Sequence, residues 1–302
     1  MWGGSGQGEE GKPVILAACP DGRCTGPPFA AAAMHYSAAM NGLAPPPSAH
    51  RQPPALLLAA GRGERMRPLT DTTPKPLLAV RGQPLLQWHL QALQAAGVRR
   101  AVINTAWLGE QISARFLDHF RPQGSPDLRD ALSISYSHEG IDFGDALETA
   151  GGIARALPLL GEVFWLAAGD VFAPDFRFDV AAAEAFAASG MLAHLWLVPN
   201  PAHHPRGDFG LSPEGLALNL AQESTVPRYT YSTIALLRAE LFAPPWCDIP
   251  PGNPEGVKAP LAPLLRHAMD NGRVSAALYT GLWVDVGTPQ RLNQLNATAS
   301  PP

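Results

Sequence analysis

The chain has 302 residues, of which 46% are hydrophobic and 16% are charged. That length fits one large domain or two small ones, since domains commonly contain about 100–200 residues. With 22 Lys and Arg against 26 Asp and Glu, the net charge of −4 creates no basic field for a nucleic-acid backbone. We therefore expect a protein with a sizeable core and no nucleic-acid partner.

Residues 1–54 differ in composition from the rest of the chain. They contain 9 Pro, 8 Gly and 10 Ala, which is half of the segment. Such a stretch has few periodic apolar positions that a core could bury. The composition predicts a disordered, low-complexity leader over residues 1–53, a folded domain over 54–296 and a frayed tail over 297–302.

The cysteines and the apolar runs bear on the cellular compartment. Cys19, Cys24 and Cys247 are too few and too scattered for a disulfide framework or a zinc site. Residues 16–19, Leu-Ala-Ala-Cys, match the short motif before a lipoprotein cysteine, but a signal peptide needs about 7–15 apolar residues before it. The apolar run at 180–198 is interrupted by charge. We expect a cytoplasmic protein without a membrane partner.

Short apolar runs alternate with helical patterns from residue 55 onwards. The predicted elements are, in chain order, a strand at 55–58, a helix at 85–96, a strand at 100–104, a helix at 108–120, a strand at 132–137, a helix from 152–157, a strand at 163–167, a helix at 181–188, a strand at 192–198, shorter antiparallel strands within 208–237, and a helix at 259–271. The alternation predicts an α/β fold with a mostly parallel, doubly wound sheet and helices on both faces. Ligands of such sheets bind at the carboxyl ends of the strands.

A glycine-rich segment directly follows the first predicted strand. It reads L-A-A-G-R-G-E-R-M-R-P-L-T over 58–70 and continues as P-K-P-L over 74–77. Small residues after a strand let backbone N–H groups approach an anion, and Arg65 and Arg67 add donors that suit phosphate. The segment lacks the G-K-[ST] of a P-loop, and Met66 stands where a dinucleotide fingerprint has glycine. A triphosphate cradle and a tight turn with surface arginines are the two interpretations.

The same segment resembles the signature of the sugar-1-phosphate nucleotidyltransferases, a Rossmann-like α/β family with the pattern L-A-x-G-x-G-x-R-[ML]-x-P-L-T followed by P-K-P. The resemblance implies that Arg65 and Lys75 are catalytic and grip the triphosphate. It also implies a set of nucleotide-binding residues, namely Ala60, Gly61, Gly63, Glu64, Arg65, Lys75 and Gly151.

Two further segments match this family. L-E-T-A-G-G-I over 147–153 resembles a segment near the base and sugar, which implies a substrate contact by Glu148. A helix that starts at Gly151 and Gly152 would offer free N–H groups. Asp170, which is also implied to be catalytic, and Asp285 match the family's metal pair, and carboxylates suit Mg²⁺. Alone, each segment also fits an ordinary helix start or cap.

Longer matches resemble one branch of the family, the bacterial N-acetylmuramic acid 1-phosphate uridylyltransferases. They comprise V-I-N over 102–104, A-W-L-G over 106–109, P-N-P over 199–201, R-G-D-F over 206–209 and A-P-L-L-R over 262–266. The resemblance implies that UTP and N-acetylmuramic acid 1-phosphate give a UDP-sugar and pyrophosphate, in peptidoglycan recycling. It also implies that Asn200 contacts the sugar phosphate. Muramic acid carries a lactyl carboxylate, and a guanidinium binds carboxylate bidentately, so Arg206 is a candidate for that contact.

The sequence departs from this branch at three places. Ala150 replaces a glycine, Ser-Thr-Ile at 232–234 replaces Ser-Gly-Ile, and the loop at 141–146 is longer. Two alternatives therefore stay open, a guanylyl- or thymidylyltransferase acting on a hexose 1-phosphate and a non-catalytic nucleotide-binding regulatory homologue. His203 and His204 are adjacent and would point to opposite faces of an extended segment, which favours a loop role over a metal site. No long C-terminal assembly segment is visible, which favours a monomer.

Overall fold

The computed structural model describes residues 52–121 and 131–297. Its strands are β1 (Ala55–Leu58), β2 (Ala79–Val80), β3 (Gln83–Pro84), β4 (Arg100–Thr105), β5 (His119–Phe120), β6 (Leu132–His138), β7 (Val163–Ala168), β8 (Val171–Phe172), β9 (Ala193–Val198), β10 (Phe209–Leu211), β11 (Ala217–Leu218), β12 (Arg228–Arg238), β13 (Val274–Leu278) and β14 (Val284–Asp285). Its α-helices are α1 (Leu85–Ala95), α2 (Gly109–Phe116), α3 (Glu139–Phe143), α4 (Glu148–Ala156), α5 (Val180–Ala188), α6 (Leu261–Asp270) and α7 (Pro289–Ala297).

The centre of the main sheet is parallel. Strands β7, β1, β4 and β6 lie side by side in that order, and each neighbouring pair is parallel. On the other side of β7, the antiparallel strand β12 also pairs with β9, and β13 runs parallel to β9. Strands β10, β11 and β5 add antiparallel pairs at the margins. The sheet confirms the predicted α/β fold, and the expected antiparallel strands follow residue 208.

Helices cover both faces of the sheet, as predicted. Along β1, Ala55 and Leu57 belong to one core and Leu56 belongs to the other, because successive side chains of a strand alternate. The first core contains most of the buried apolar residues of α1, α2 and α5, and the second contains most of those of α4 and α6. Because both faces are covered, a ligand reaches the parallel strands only at their ends.

Two predicted helices differ from the observed ones. The helix expected over 108–120 ends at Phe116, because Leu117 leaves the helical region with φ 55° and ψ −151°. Residues His119–Phe120 then form β5 against β6. The sequence offers no glycine or proline as a stop signal there. The helix expected from Gly152 begins earlier, at Glu148, whereas the other predicted elements lie within two residues of the observed bounds.

The described chain is anchored from its first residue. Gln52 donates a hydrogen bond from Nε2 to the carbonyl of Phe178 at 2.7 Å, and its Oε1 accepts one from Trp165 Nε1 at 3.1 Å. Residues 1–51 and 298–302 lie outside the described residues, so the predicted leader and tail stay predictions. Within the described ranges, no helix has the length and apolar character needed to cross a membrane.

Candidate active site

An open cleft of about 730 Å³ lies at the carboxyl ends of the parallel strands β1, β4 and β7. Eight residues predicted from the sequence line it, namely Ala60, Gly61, Gly63, Glu64, Arg65, Lys75, Glu148 and Asp170. Four others lie outside its lining, namely Gly151, Asn200, Arg206 and Asp285. The fold thus brings eight of the twelve candidate residues to one cleft, and their ligand contacts stay predictions.

One side of the cleft is formed by residues 58–66 together with Lys75 and Asp170, and we call it the glycine-rich wall. Its backbone turns at Gly63, which has φ 69°. A Cβ there would lie 3.1 Å from Thr70 Cγ2 and 3.3 Å from Lys75 Cβ. Gly63 is therefore required both for its backbone conformation and for the close approach of Lys75.

Arg65 and Glu64 occupy the short 3₁₀ turn that follows Gly63. Arg65 is exposed and lines the cleft, so its guanidinium is accessible to an anion. Glu64 also lines the cleft, but its carboxylate is 2.8 Å from Arg62 Nε in an exposed ion pair. Arg62 in turn lies over the ring of Trp107, 3.7 Å from its centroid. Glu64 thus helps to fix the turn.

Lys75 is the buried cation of the glycine-rich wall. Its side chain is only 9% exposed, and its Nζ lies 2.6 Å from Asp170 Oδ2. Pro74 and Pro76 flank it, and Pro74 has the extended φ of −63° and ψ of 141° that aims the following turn. A bound anionic ligand would meet this ammonium with little competition from water, because burial weakens screening.

The turn that carries Asp170 is supported from below by His89 of α1. His89 Nε2 lies 2.9 Å from the carbonyl oxygen of Val171, and Gly169 N donates to the carbonyl of Leu58 at 2.8 Å. Burial lowers the pKa of His89 to about 4, so the imidazole is neutral at pH 7. A neutral His89 does not repel the Lys75 ammonium. Its hydrogen bond to the Val171 carbonyl holds the backbone next to Asp170.

Asp285 lies beside the Asp170 turn, and backbone hydrogen bonds join the two segments. Asp285 pairs with Val171 in the β8–β14 ladder, and Val286 N donates to the carbonyl of Asp170 at 3.1 Å. Its carboxylate Oδ2 accepts a hydrogen bond from Arg291 Nη1 at 2.7 Å. The two aspartates are far apart in sequence, and the fold brings their backbones together as the family resemblance implies.

His203 also contacts this second aspartate. His203 Nε2 lies 3.6 Å from Asp285 Oδ2 and 3.0 Å from Arg291 Nη1, whereas His204 Nε2 contacts Asp208 Oδ1 at 3.1 Å. The neighbouring histidines therefore have different partners, in agreement with the geometric argument against a shared ion. Burial, with Arg291 as the next cause, lowers the pKa of His203.

The aspartate pair fits a hard divalent cation by its chemistry. Asp170 and Asp285 offer carboxylate oxygens with side chains that are 40% and 24% exposed. Mg²⁺ is commonly bound through one or two carboxylates plus substrate phosphates and water. Among the described residues, no three His, Cys, Asp or Glu side chains form a metal-binding group. Protein ligands beyond the two aspartates are not needed for such an ion.

A buried amide and carboxylate join two parts of the cleft. Asn104 Oδ1 accepts a hydrogen bond from Ala59 N at 2.7 Å, and Asn104 Nδ2 donates to Glu139 Oε1 at 2.7 Å. Glu139 Oε2 accepts from Leu147 N at 2.7 Å, just before α4. Burial raises the pKa of Glu139. The Asn104–Glu139 pair was not predicted from the sequence, although Asn104 stands in the V-I-N match at the end of a strand.

The start of α4 corrects one expectation. Gly151 N and Ala150 N both donate to the carbonyl of Ala259, at 3.1 and 2.8 Å, so the expected free N–H groups are already bonded. A Cβ on Gly151 would collide with the carbonyl oxygen of Val257. Gly151 therefore packs against the chain before α6 instead of facing a nucleotide. Glu148, in contrast, is exposed, lines the cleft and has the strained φ of 58°.

Two predicted sugar contacts lie in the loop before β10. The amide of Asn200 is occupied, because Nδ2 donates to the carbonyl of Arg228 at 3.0 Å and Oδ1 accepts from Thr230 Oγ1 at 2.9 Å. Arg206 is exposed to solvent outside the cleft lining. Asn200 thus organises its own loop, and both substrate contacts stay predictions.

The opposite part of the lining contains none of the predicted site residues, although several of its residues lie in the R-G-D-F and A-P-L-L-R segments, and we call it the β10–α6 wall. It consists of Asp208, Phe209, Tyr231, Thr233, Leu261, Leu265 and Arg266. Phe209 belongs to β10, and its buried ring lies under the Arg266 guanidinium of α6, 5.0 Å from ring centroid to Cζ. Burial raises the pKa of the Tyr231 phenol, which keeps its proton.

Thr233 is one of the three departures from the family pattern, and its backbone conformation bears on that departure. The family resemblance implies a glycine at this position, and the φ of 61° of Thr233 lies in the left-handed region that disfavours a β-branched residue. The pairing of β12 with β9 shifts register between Tyr231 and Ala235, around this position. Thr233 lines the cleft, and its Oγ1 donates to the carbonyl of Ser232 at 2.6 Å. The backbone thus retains a conformation that suits glycine.

Comparisons with known proteins identify the family of this chain. A family described as "MobA-like NTP transferase domain" matches residues 55–134, which include residues 58–66 and Lys75 of the glycine-rich wall but not Asp170. N-acetylmuramate alpha-1-phosphate uridylyltransferase from Neisseria meningitidis serogroup B is 46% identical over 247 residues, covering 81% of this chain and 97% of that protein. The protein of the same name from Caulobacter vibrioides is 32% identical over 78% of this chain and 92% of its own length.

A solved structure supports the fold independently. The inositol-1-phosphate CTP transferase from T. maritima superposes with a TM-score of 0.57 at 18% identity, covering 82% of this chain and 98% of that chain. Similarity at this level of identity concerns the fold alone, whereas the two curated relatives match in sequence over most of their length. From the fold, the cleft and these relatives together, the chain belongs to the sugar-1-phosphate nucleotidyltransferase family.

Proposed function

We propose that this nucleotidyltransferase transfers the uridylyl group of UTP to N-acetylmuramate 1-phosphate, which yields the UDP-sugar and pyrophosphate. The substrate is the one named for the two curated relatives that match most of the chain. The observation that carries the proposal for this chain is the glycine-rich wall, where the buried Lys75 and the exposed Arg65 face one cleft together with Asp170.

The reaction needs positioning and charge neutralisation more than covalent help from the protein. An oxygen of the sugar phosphate forms a bond to the α-phosphorus of UTP, and the bond from that phosphorus to the pyrophosphate oxygen breaks. The phosphate monoester is already ionised, so no side-chain nucleophile is required. Arg65 and Lys75 would hold the nucleotide phosphates and stabilise the negative charge that develops on the leaving pyrophosphate.

Asp170 and Asp285 would hold Mg²⁺ in this proposal. Bound there, the ion would supply Lewis-acid neutralisation of phosphate oxygens. Because Asp170 pairs with Lys75 at 2.6 Å, ligand binding must redistribute that contact between the carboxylate, the phosphates and the ammonium. Arg291 keeps Asp285 in place through hydrogen bonds of 2.7 Å to both its carboxylate and its carbonyl oxygen.

The proposed setting is peptidoglycan recycling in the cytoplasm, with a nucleoside triphosphate and a sugar 1-phosphate as ligands. This setting follows from the substrate in the relatives' names. The expected monomeric state stays a prediction, which light scattering of the purified chain measures directly.

Pyrophosphate release tests the proposal. Wild-type protein is incubated with UTP, GTP, dTTP or CTP and with N-acetylmuramate, N-acetylglucosamine, glucose or mannose 1-phosphate, in the presence of Mg²⁺. The expected result is the highest kcat/KM for UTP with N-acetylmuramate 1-phosphate. A clear preference for GTP or dTTP with a hexose phosphate would assign the chain to another specificity, and nucleotide binding without pyrophosphate release would indicate a regulatory homologue.

A further inference from the structure

The cations that line the cleft come from two separate places. Among the described residues, the lining contains Arg65 and Lys75 in the glycine-rich wall and Arg266 in the β10–α6 wall. The first two are accounted for by the nucleotide phosphates in the proposed function. Arg266 has no role in the proposed function so far. It belongs to α6 in the other wall, where it lies over the ring of Phe209.

Neutral groups hold Arg266 in place. Its Nη1 donates to Asn219 Oδ1 at 2.7 Å, and Asn219 Nδ2 donates to both carboxylate oxygens of Asp270 at 2.9 and 3.1 Å. Asp270 thus orients the amide without touching the guanidinium. Within the described part of the chain, Arg266 forms no ion pair. Its charge is therefore not neutralised, and a guanidinium has five N–H donors, of which one is used here.

The nearby carboxylate of the same wall is already occupied. Asp208 Oδ1 contacts His204 Nε2 at 3.1 Å, and Asp208 Oδ2 accepts from Tyr231 N at 2.8 Å. The hydroxyl of Tyr231 is a buried polar atom with no hydrogen-bond partner among the described residues, in a side chain that lines the cleft. The Tyr231 ring lies 6.3 Å from that of Phe209. The Arg266 guanidinium and the Tyr231 ring therefore both lie near the Phe209 ring, and Arg266 is the cation of this wall.

We propose that Arg266 binds the lactyl carboxylate of the sugar substrate and so selects an acidic sugar over a neutral one. The inference rests on the proposed function, because N-acetylmuramate carries this carboxylate and N-acetylglucosamine does not. A guanidinium binds a carboxylate through two parallel hydrogen bonds, which gives both charge and orientation.

This proposal assigns to Arg266 the carboxylate contact that the sequence suggested for Arg206. Arg206 is exposed outside the cleft lining, whereas Arg266 lines the cleft and is half-buried. Partial burial matters, because a carboxylate that pairs with a guanidinium away from bulk water is less screened. The two assignments differ in which arginine, when replaced, should lower the selectivity for an acidic sugar.

The experiment compares two substrates that differ only in charge. Wild type and variants are assayed with N-acetylmuramate 1-phosphate and with the same compound in which the lactyl carboxylate is an amide. For wild type we expect kcat/KM to be about 10–100-fold higher for the acid, the usual range for a hydrogen-bonded charge. Arg266→Gln should reduce this ratio to about 1 through KM, and Arg266→Lys should restore part of it.

Arg115→Gln is a matched control. Arg115 is also bonded to an amide oxygen, Gln87 Oε1 at 3.0 Å, and lies over a ring, Phe116 at 5.3 Å, but on α2 outside the cleft. This variant should keep the wild-type ratio. Thermal unfolding of each variant separates loss of fold from loss of selectivity.

Several outcomes would overturn the inference. Equal losses for acid and amide in Arg266→Gln would mean that Arg266 only shapes the wall, and a collapse of the ratio in Arg206→Gln alone would return the role to that loop. A wild-type enzyme that uses both compounds equally well would also overturn it while leaving the proposed function intact. Turnover of other sugar phosphates but of neither muramate compound would refute the proposed function itself.

Discussion

The two walls of the cleft are built in different ways. The glycine-rich wall comes mainly from residues 58–75, and its geometry depends on short-range features such as the positive φ of Gly63 and the prolines beside Lys75. The β10–α6 wall is assembled from side chains that lie far apart in sequence, because Phe209, Tyr231 and Arg266 meet only through the fold. Both walls contain segments that match the family, but only in the glycine-rich wall does one contiguous segment supply most of the lining, so only there does the motif itself indicate the site.

The largest effect should come from the glycine-rich wall. Lys75→Ala removes a buried ammonium that pairs with Asp170 at 2.6 Å, and we expect kcat to fall about 100–1,000-fold, as for other charged donors in active sites. The measurement is pyrophosphate release at saturating substrates. Lys258→Ala is the control, because Lys258 forms an equally short but exposed pair with Asp145.

Retention of most activity by Lys75→Ala would contradict this view of the wall. The unfolding midpoint of the variant must be measured as well, since Asp170 loses its partner and an unpaired charge near the cleft affects stability.

A smaller but specific effect should follow at the second aspartate. Asp285→Asn replaces the carboxylate that we propose as a metal ligand with a neutral amide. It keeps the backbone carbonyl of residue 285, which accepts a hydrogen bond from Arg291 Nη1 at 2.7 Å. We expect kcat/KM at low millimolar Mg²⁺ to fall about 100-fold, with part of the loss recovered at higher Mg²⁺. Titration of Mg²⁺ checks this, and the exposed Asp248→Asn provides the control. A loss that no Mg²⁺ concentration alters would point to Arg291 and His203 instead.

His89 shows how a residue outside the motif supports the glycine-rich wall. The imidazole has an ordinary pKa of 6.5 in the unfolded chain and about 4 in the folded chain, because burial disfavours its charged form. Between these values the unfolded state binds more protons, so stability falls as pH falls. We expect its contribution to the free energy of unfolding to fall by about 2 kcal/mol between pH 7 and pH 5.

Urea denaturation at both pH values measures this change. His89→Gln should lose that part of the pH dependence, whereas His267→Gln, at an exposed position on α6, should keep it. An unchanged pH dependence in His89→Gln would show that other groups dominate acid destabilisation, among them His194, whose pKa burial also lowers.

The extent of sequence-based prediction follows the same division. The central strands and the cleft at their ends followed from periodicity, whereas the elements β2, β3, β5, β8, β13, β14, α3 and α7 were not predicted. The nucleotide contact of Gly63 stays a prediction, and its positive φ gives a separate reason for glycine there. The expectation of a free N–H group at Gly151 was wrong, because the sequence does not distinguish a glycine needed for packing against Val257 from one needed for a ligand. Arg266 and Asn104 stand in segments that match the family, but their hydrogen bonds to Asn219 and Glu139 had no local signal, since these partners are far away in sequence.

The smallest effect concerns the one residue of the β10–α6 wall that departs from its family pattern. Thr233 has φ 61°, and a β-branched residue in the left-handed region is strained by about 1 kcal/mol or more, whereas glycine is not. Thr233→Gly removes this strain and also one hydrogen bond, from Oγ1 to the carbonyl of Ser232 at 2.6 Å. We expect the free energy of unfolding to rise by up to about 1 kcal/mol, because glycine's greater freedom in the unfolded state offsets part of the gain.

Thr230→Gly serves as the control for this last prediction. Thr230 precedes Thr233 on the same strand, is buried and donates to Asn200 Oδ1 at 2.9 Å, but it is not among the residues with positive φ. Its replacement should therefore destabilise the protein. If both variants lose stability equally, the left-handed backbone at Thr233 carries no excess strain. The wall would then tolerate threonine as well as glycine, and its departure from the family pattern would have to be explained by the substrate instead of the backbone.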